Sequence, residues 1–129
     1  MTVADSSAWI DGLRRSGTPT AEKLDQLLGR RRLLLGDIIL CELLRGARDE
    51  ADAIRIREKL SAVPVVDMVG GTVAAQAAFN YRLLRRQGVT IRNTVDLLVA
   101  TFCVVNGHQL LHNDRDFKPM VEHLGLVEA

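Results

Sequence analysis

Apolar and polar positions along the chain fall into two kinds of block: short unbroken apolar runs, and longer stretches in which apolar residues return every three or four positions. TVAD (2–5) reads as a buried strand, after which Ser6 or Ser7 can cap a helix carrying Trp9, Ile10 and Leu13. A second helix is expected from Thr18, with Pro19 in its first position and Ala21, Leu24, Leu27 and Leu28 on one face. LLL (33–35) is the next strand candidate. Gly36 ends it, and Asp37 is placed to cap a helix through Ile38, Leu40, Leu43 and Leu44 that stops near Gly46.

From Asp49 to Leu60, acids and arginines alternate around Ile54, Ile56 and Leu60, the pattern of an amphipathic helix with one wet face. PVVD (64–67) gives a third strand, and the glycines after it lead to a long helix from Thr72 to about Arg86. NTVDLLVATFCVV (93–105) starts another helix, capped by Asn93 and ended by Asn106 and Gly107. QLLHN (109–113) is a fourth strand, DRDFKPMVEHL a short closing helix, and LVE (126–128) a candidate edge strand. Short strands alternating with helices imply an α/β fold: a parallel sheet of four to five strands with helices on both faces, three layers in all. Residues 1–129 are expected to form a single domain.

Composition sharpens this picture in two places. Aromatics make up only 4% of the chain against 47% hydrophobic residues overall, so the core must be aliphatic. No apolar run is long enough to span a bilayer and Asp5 interrupts any apolar start, which makes the cytoplasm the expected compartment. Cys41 and Cys103 both lie in apolar helical patterns and are expected to be buried thiols. A net charge of +1 argues against a protein that coats nucleic acid by charge alone, although arginines cluster at 30–32 and at positions 82, 85, 86 and 92.

The acids carry the chemical argument. In open parallel sheets, ligands bind beyond the carboxyl ends of the strands. Asp5 closes the first strand and Asp114 follows the fourth. Asp96 stands in the first turn of a helix that runs back across the sheet, which brings its start near the same edge. Glu42 shares a helical stripe with Ile38 and Arg45 and should be partly buried. Each alone has a structural explanation as a cap, a turn residue or an ion-pair partner. Together, carboxylates crowded into an apolar surround repel one another unless something neutralises them. A hard divalent cation, Mg²⁺ or Mn²⁺ in its place, is the economical neutraliser, and phosphoryl transfer is the commonest chemistry of such a site. His108, His112 and His123 share no tight motif, so zinc is not expected.

Four segments, ADSSAWID, LLLGDIILCELLRG, NTVDLLVA and LLHNDRDF, occur in the order and at the spacing of one family. In them the chain resembles the PIN-domain ribonucleases, most closely the VapC toxins of bacterial toxin–antitoxin pairs. The resemblance implies that Asp5, Glu42, Asp96 and Asp114 hold Mg²⁺ and that Ser6, where the family more often has Thr, helps to orient the site. It places Asn113 at a small polar position, Arg45 near the substrate, and Asp116 as a further acid without an assigned role. It also implies RNA cleavage by metal-dependent hydrolysis, a homodimer, and a small antitoxin partner whose C-terminal tail covers the site.

Two readings from other classes compete. A phospho-acceptor signalling domain would use Asp5 with Asp67 at the end of the third strand, but it wants adjacent acids at the first strand and a late lysine. This chain offers two serines after Asp5 and only Lys118. A silent PIN-fold binding module would have no need of all four acids.

Overall fold

The computed structural model describes residues 1–129. Four short parallel strands, β1 (Thr2–Ala4), β2 (Leu33–Gly36), β3 (Val65–Val66) and β4 (Gln109–Leu111), lie side by side in the order β3-β2-β1-β4. Helices α1 (Ser6–Leu13), α2 (Pro19–Gly29), α3 (Asp37–Arg45), α4 (Glu50–Leu60), α5 (Gly70–Arg86), α6 (Thr94–Asn106) and α7 (Lys118–Leu124) cover both faces in a three-layer α/β/α arrangement, as the alternating pattern predicts. No helix is long and apolar enough to cross a membrane.

The strands are short because little of each is needed. Val3, Leu33, Leu35, Leu110 and Leu111 are buried in one aliphatic core with Ile39, Leu43, Leu84 and Phe117. Each large side chain so buried contributes roughly 1.5–3 kcal/mol relative to exposure. Helix α6 is apolar on nearly all sides, with Leu97, Val99, Ala100, Phe102 and Cys103 all buried, which makes it a central rather than a surface helix. Thr101 is buried with them, and its hydroxyl accepts from the Asn80 side chain of α5 at 3.2 Å, so the polar atom carried inside is satisfied. Asn93 caps α6 by accepting from the Val95 N–H at 2.9 Å, and Gly107 ends it in the left-handed region at φ 70°.

Several boundaries differ from the sequence expectation, each for a local reason. β1 ends at Ala4, and Asp5 is the N-cap of α1. β4 ends at Leu111, before His112 and Asn113 turn away into the loop. Gly36, not Asp37, occupies the N-cap of α3. The Asp37 carboxylate instead accepts from the Ile38 N–H at 2.8 Å and the Met68 N–H at 3.1 Å, tying α3 to the segment after β3. α5 begins at Gly70 rather than Thr72. The expected fifth strand reduces to one bridge, Leu110 to Glu128. Cys103 is buried as expected, but Cys41 falls on the outer face of α3 and is exposed.

Candidate active site

Chain order and strand order together choose the position of the site. From β1 the chain proceeds outward through β2 to β3, then crosses to the other side of β1 to lay down β4. The connections on the two sides of β1 therefore diverge between β1 and β4, and a crevice opens there at the carboxyl ends of the strands. The Asp5 N–H donates to the Leu111 carbonyl at 2.9 Å, closing the bottom of this crevice and fixing Asp5 beside the segment that carries Asp114.

Asp5 is buried, and its carboxylate accepts twice from Ser7, from the backbone N–H at 3.2 Å and from the hydroxyl at 2.7 Å. The Ser7 hydroxyl in turn accepts from the Asn113 N–H at 3.0 Å, and the Asn113 side chain donates to Asp11 at 2.8 Å. Ser7 thus links the start of α1 to the loop after β4, a role the sequence reading did not give it. Ser6, the residue the resemblance selects, faces Glu42 instead, where its hydroxyl favours the ionised form. Asp114 caps the short 3₁₀ turn at Arg115–Phe117 by accepting from the Asp116 N–H at 2.9 Å. His112 steadies this loop from behind. Its Nδ1 accepts from the Asp114 N–H at 3.2 Å, which leaves the proton on Nε2, 2.8 Å from a Glu128 carboxylate oxygen, and its ring lies against Phe117.

Carboxylate oxygens of Asp96, Asp114 and Asp116 all lie within 4.8 Å of one another. Asp96 is buried, Asp114 half-buried and Asp116 exposed, so the group opens from the core toward solvent. Burial pushes the Asp96 carboxyl up to about 7, with further repulsion from Asp5, Asp114, Glu42 and Asp116. Glu42 is raised as well, first by burial and then by Asp5, against partial relief from Arg45 and Ser6. One of its carboxylate oxygens is buried without any hydrogen-bond partner. Arg45 itself is exposed in the last turn of α3. Cys103 is pushed up to about 12 by burial and by Asp5, so it stays a thiol and adds nothing to the donor set.

The structure therefore brings all four sequence-selected acids to one edge, draws Asp116 in as a fifth, and places no lysine or arginine in ion-pair contact with any of them. The ion pairs present are Arg48–Asp52, Arg55–Asp52, His112–Glu128 and Lys118–Glu122, none of which includes one of these five acids. An all-oxygen donor set with an orphaned carboxylate oxygen and mutual repulsion fits a hard divalent cation. Asp67, the acid needed by the phospho-acceptor reading, is exposed beyond edge strand β3, with β2 between it and β1. In the phospho-acceptor fold the third strand lies next to the first, so that reading does not fit.

Comparison with known proteins agrees with this fold. The PIN domain family model matches residues 2–122. VapC ribonuclease Mb1587 of Mycobacterium bovis and ribonuclease VapC11 of Mycobacterium tuberculosis are each 29% identical over 131 residues, covering 100% of this chain and 98% of the relative. Among solved structures, VapBC2 from Rickettsia felis, bound to a DNA fragment from its promoter, superposes with a TM-score of 0.80 at 17% identity, over 99% of this chain and 96% of that chain. VapBC-1 from nontypeable Haemophilus influenzae gives a TM-score of 0.74 at 24% identity with the same coverage. At these identities the superpositions speak to the fold.

Proposed function

The chain belongs to the PIN domain family, and on that premise we propose that residues 1–129 act as a single-domain, Mg²⁺-dependent endoribonuclease, the toxin of a toxin–antitoxin pair in the cytoplasm. The observation that carries this reading is the convergence of Asp5, Glu42, Asp96, Asp114 and Asp116 on one crevice with no lysine or arginine in ion-pair contact. These carboxylates would hold Mg²⁺, or Mn²⁺ in its place. The ion, when bound, supplies Lewis acidity toward water and the phosphodiester.

The chain's own residues prepare that chemistry. Ser7 keeps Asp5 oriented from one side of the crevice, and His112 with the 3₁₀ turn keeps Asp114 oriented from the other. Asp96 is fixed in depth by the buried helix behind it and must release its proton to become a ligand, at a pH near 7 unless a cation competes for it. Arg45, next to Glu42 and exposed, is placed to meet an incoming phosphate. Asn113, holding Asp11 and Ser7, sets the rim of the crevice.

A second cleft, of about 600 Å³, lies along α1, α3 and α4 beside Glu42. Ile10, Leu13 and Ile56 give it an apolar floor, and Arg14, Arg48 and Arg55 a charged rim. Such a cleft suits a segment of a small protein partner reaching toward the acids, in keeping with VapBC assemblies among the structural neighbours. A homodimer completes the proposed assembly. The test is cleavage of RNA by the purified protein with and without chelator. Mg²⁺-dependent cleavage lost on Asp96→Asn is expected, and cleavage that survives EDTA or that substitution would refute the metal mechanism. Co-purification with the product of a short reading frame immediately upstream tests the toxin assignment separately.

A further inference from the structure

A cavity of about 280 Å³ opens on the solvent side of Asp96 and Asp116, between the segment 89–93 that leads into α6 and the start of α7. Arg92 and Arg115 both line it, from chain segments far apart in sequence. Both side chains are on exposed residues, and neither guanidinium lies in ion-pair contact with a carboxylate, although the cavity floor is made by two of the crowded acids. Two arginines held beside an acidic cluster without pairing to it are free to take an anion brought up to that cluster.

The rest of the lining narrows the kind of anion. Val89, Ile91 and Pro119, all partly exposed, form an apolar wall, and Thr90 and Asn93 add polar atoms. The Asn93 side-chain oxygen is occupied by the Val95 N–H, which leaves its amide hydrogens to donate. A bare inorganic anion would have no use for the wall. An anion carrying a flat, partly apolar body would use both halves, and a nucleotide within an RNA strand is such a body.

We propose that this cavity is a nucleotide subsite, in which Arg92 and Arg115 hold the phosphate next to the scissile one and the wall of Val89, Ile91 and Pro119 receives the attached ribose and base. This inference rests on the endoribonuclease reading and adds substrate-positioning residues to it. Arg115 gains its position from the 3₁₀ turn capped by Asp114, and Arg92 from its place one residue before the cap of α6. The acids and the arginines are therefore set by the same two local structures, which fixes the distance between cleavage point and subsite.

The test uses the full chain and a short fluorescein-labelled, single-stranded RNA of random sequence. Anisotropy titrations are run in chelator at a series of salt concentrations, alongside steady-state cleavage in Mg²⁺. Arg92→Gln and Arg115→Gln are each expected to weaken binding roughly tenfold and to lower the salt slope of log K by about 0.7, the value for one phosphate contact on a single strand. KM for cleavage should rise in parallel with little change in kcat, since a subsite away from the reacting atoms binds ground state and transition state alike. Arg92→Lys should recover the slope and only part of the affinity, because an ammonium keeps the charge but not the forked geometry. Arg30→Gln is the control, at the opposite edge of the sheet beside Met1 and Gln109, and should leave slope and KM unchanged. A wild type that cleaves RNA, with arginine variants of unchanged slope and KM, would overturn the subsite and leave the nuclease intact. Loss of kcat with slope and KM unchanged would overturn it equally, and a wild type that neither binds nor cleaves RNA would remove both readings.

Discussion

At the scale of the residue, the decisive fact is that Asp96 does two jobs that oppose each other. As a first-turn acid it favours the helix dipole of α6, an effect of about 0.3–1 kcal/mol. As a buried carboxylate facing four other acids it costs more than that. Asp96→Asn keeps an oxygen and the packing but removes the repulsion. In chelator at about pH 8 this variant should be more stable than the parent by roughly 1 kcal/mol or more, measured by urea denaturation, while RNA cleavage is lost. A variant less stable than the parent would mean that the helix dipole, not crowding, dominates at this position. Ser7 gives a second prediction. Ser7→Ala removes the hydroxyl that bridges Asp5 and the Asn113 N–H, at a cost of about 1 kcal/mol in stability and roughly 10–100-fold in activity. Ser6→Ala should cost less activity, because Asp5 keeps both of its Ser7 contacts; the ratio of the two kcat values decides between them. The acids themselves were legible in the sequence because a strand end and a helix start are local signals. The link from Ser7 to the loop after β4 was not, since it depends on the rotation of α1 relative to a segment more than 100 residues away.

At the scale of the element, what could be read was whatever a single segment decides for itself. α2 has its Thr18 cap and leading Pro19, and α6 its Asn93 cap and closing Gly107, so both appear where the pattern puts them. The strands were legible as apolar runs but not in length, because a parallel strand ends where its neighbour stops offering partners. β3 keeps only Val65 and Val66 because it lies at the edge and pairs with β2 alone. LVE fails as a strand because only Glu128 meets β4. The join between β2 and α3 shows how closely these elements fit. Gly36 lies at the end of β2 against the buried Met68, and an added methyl there would overlap the Met68 thioether. Gly36→Ala should force Met68 outward and strain its N–H bond to Asp37, destabilising the protein by about 1–3 kcal/mol. The denaturation midpoint measures this, and Gly36→Ala with Met68→Ala should recover part of the loss. No recovery would show that the strain lies in the backbone rather than in the thioether.

At the scale of the whole molecule, near-neutral net charge hides a strong local asymmetry: acids gather at the carboxyl edge of the sheet while arginines lie unpaired around it. Strand order creates the gathering point between β1 and β4, and no single segment contains that information; the acids could be expected to meet, but the crevice and its flanking cavity needed the assembled sheet. The asymmetry makes stability depend on pH in a direction that can be worked out. Asp96 has its folded pKa raised from 3.8 to about 7, so between those values the fold keeps a proton that the unfolded chain has already released. Stability in chelator should therefore fall as pH rises from about 4 to 7 and level off above, with Glu42 adding to the same trend. A divalent cation acts in the opposite sense, since it binds the ionised carboxylates of the folded chain only. Mg²⁺ at about one hundred times its dissociation constant should add about 2.7 kcal/mol near pH 8 and much less near pH 5, where protons compete for the same oxygens. Urea midpoints at the two pH values, with and without Mg²⁺, separate the two effects. If Mg²⁺ raises the midpoint equally at both, the cation is not bound through Asp96, and the raised carboxyl would be a consequence of packing alone.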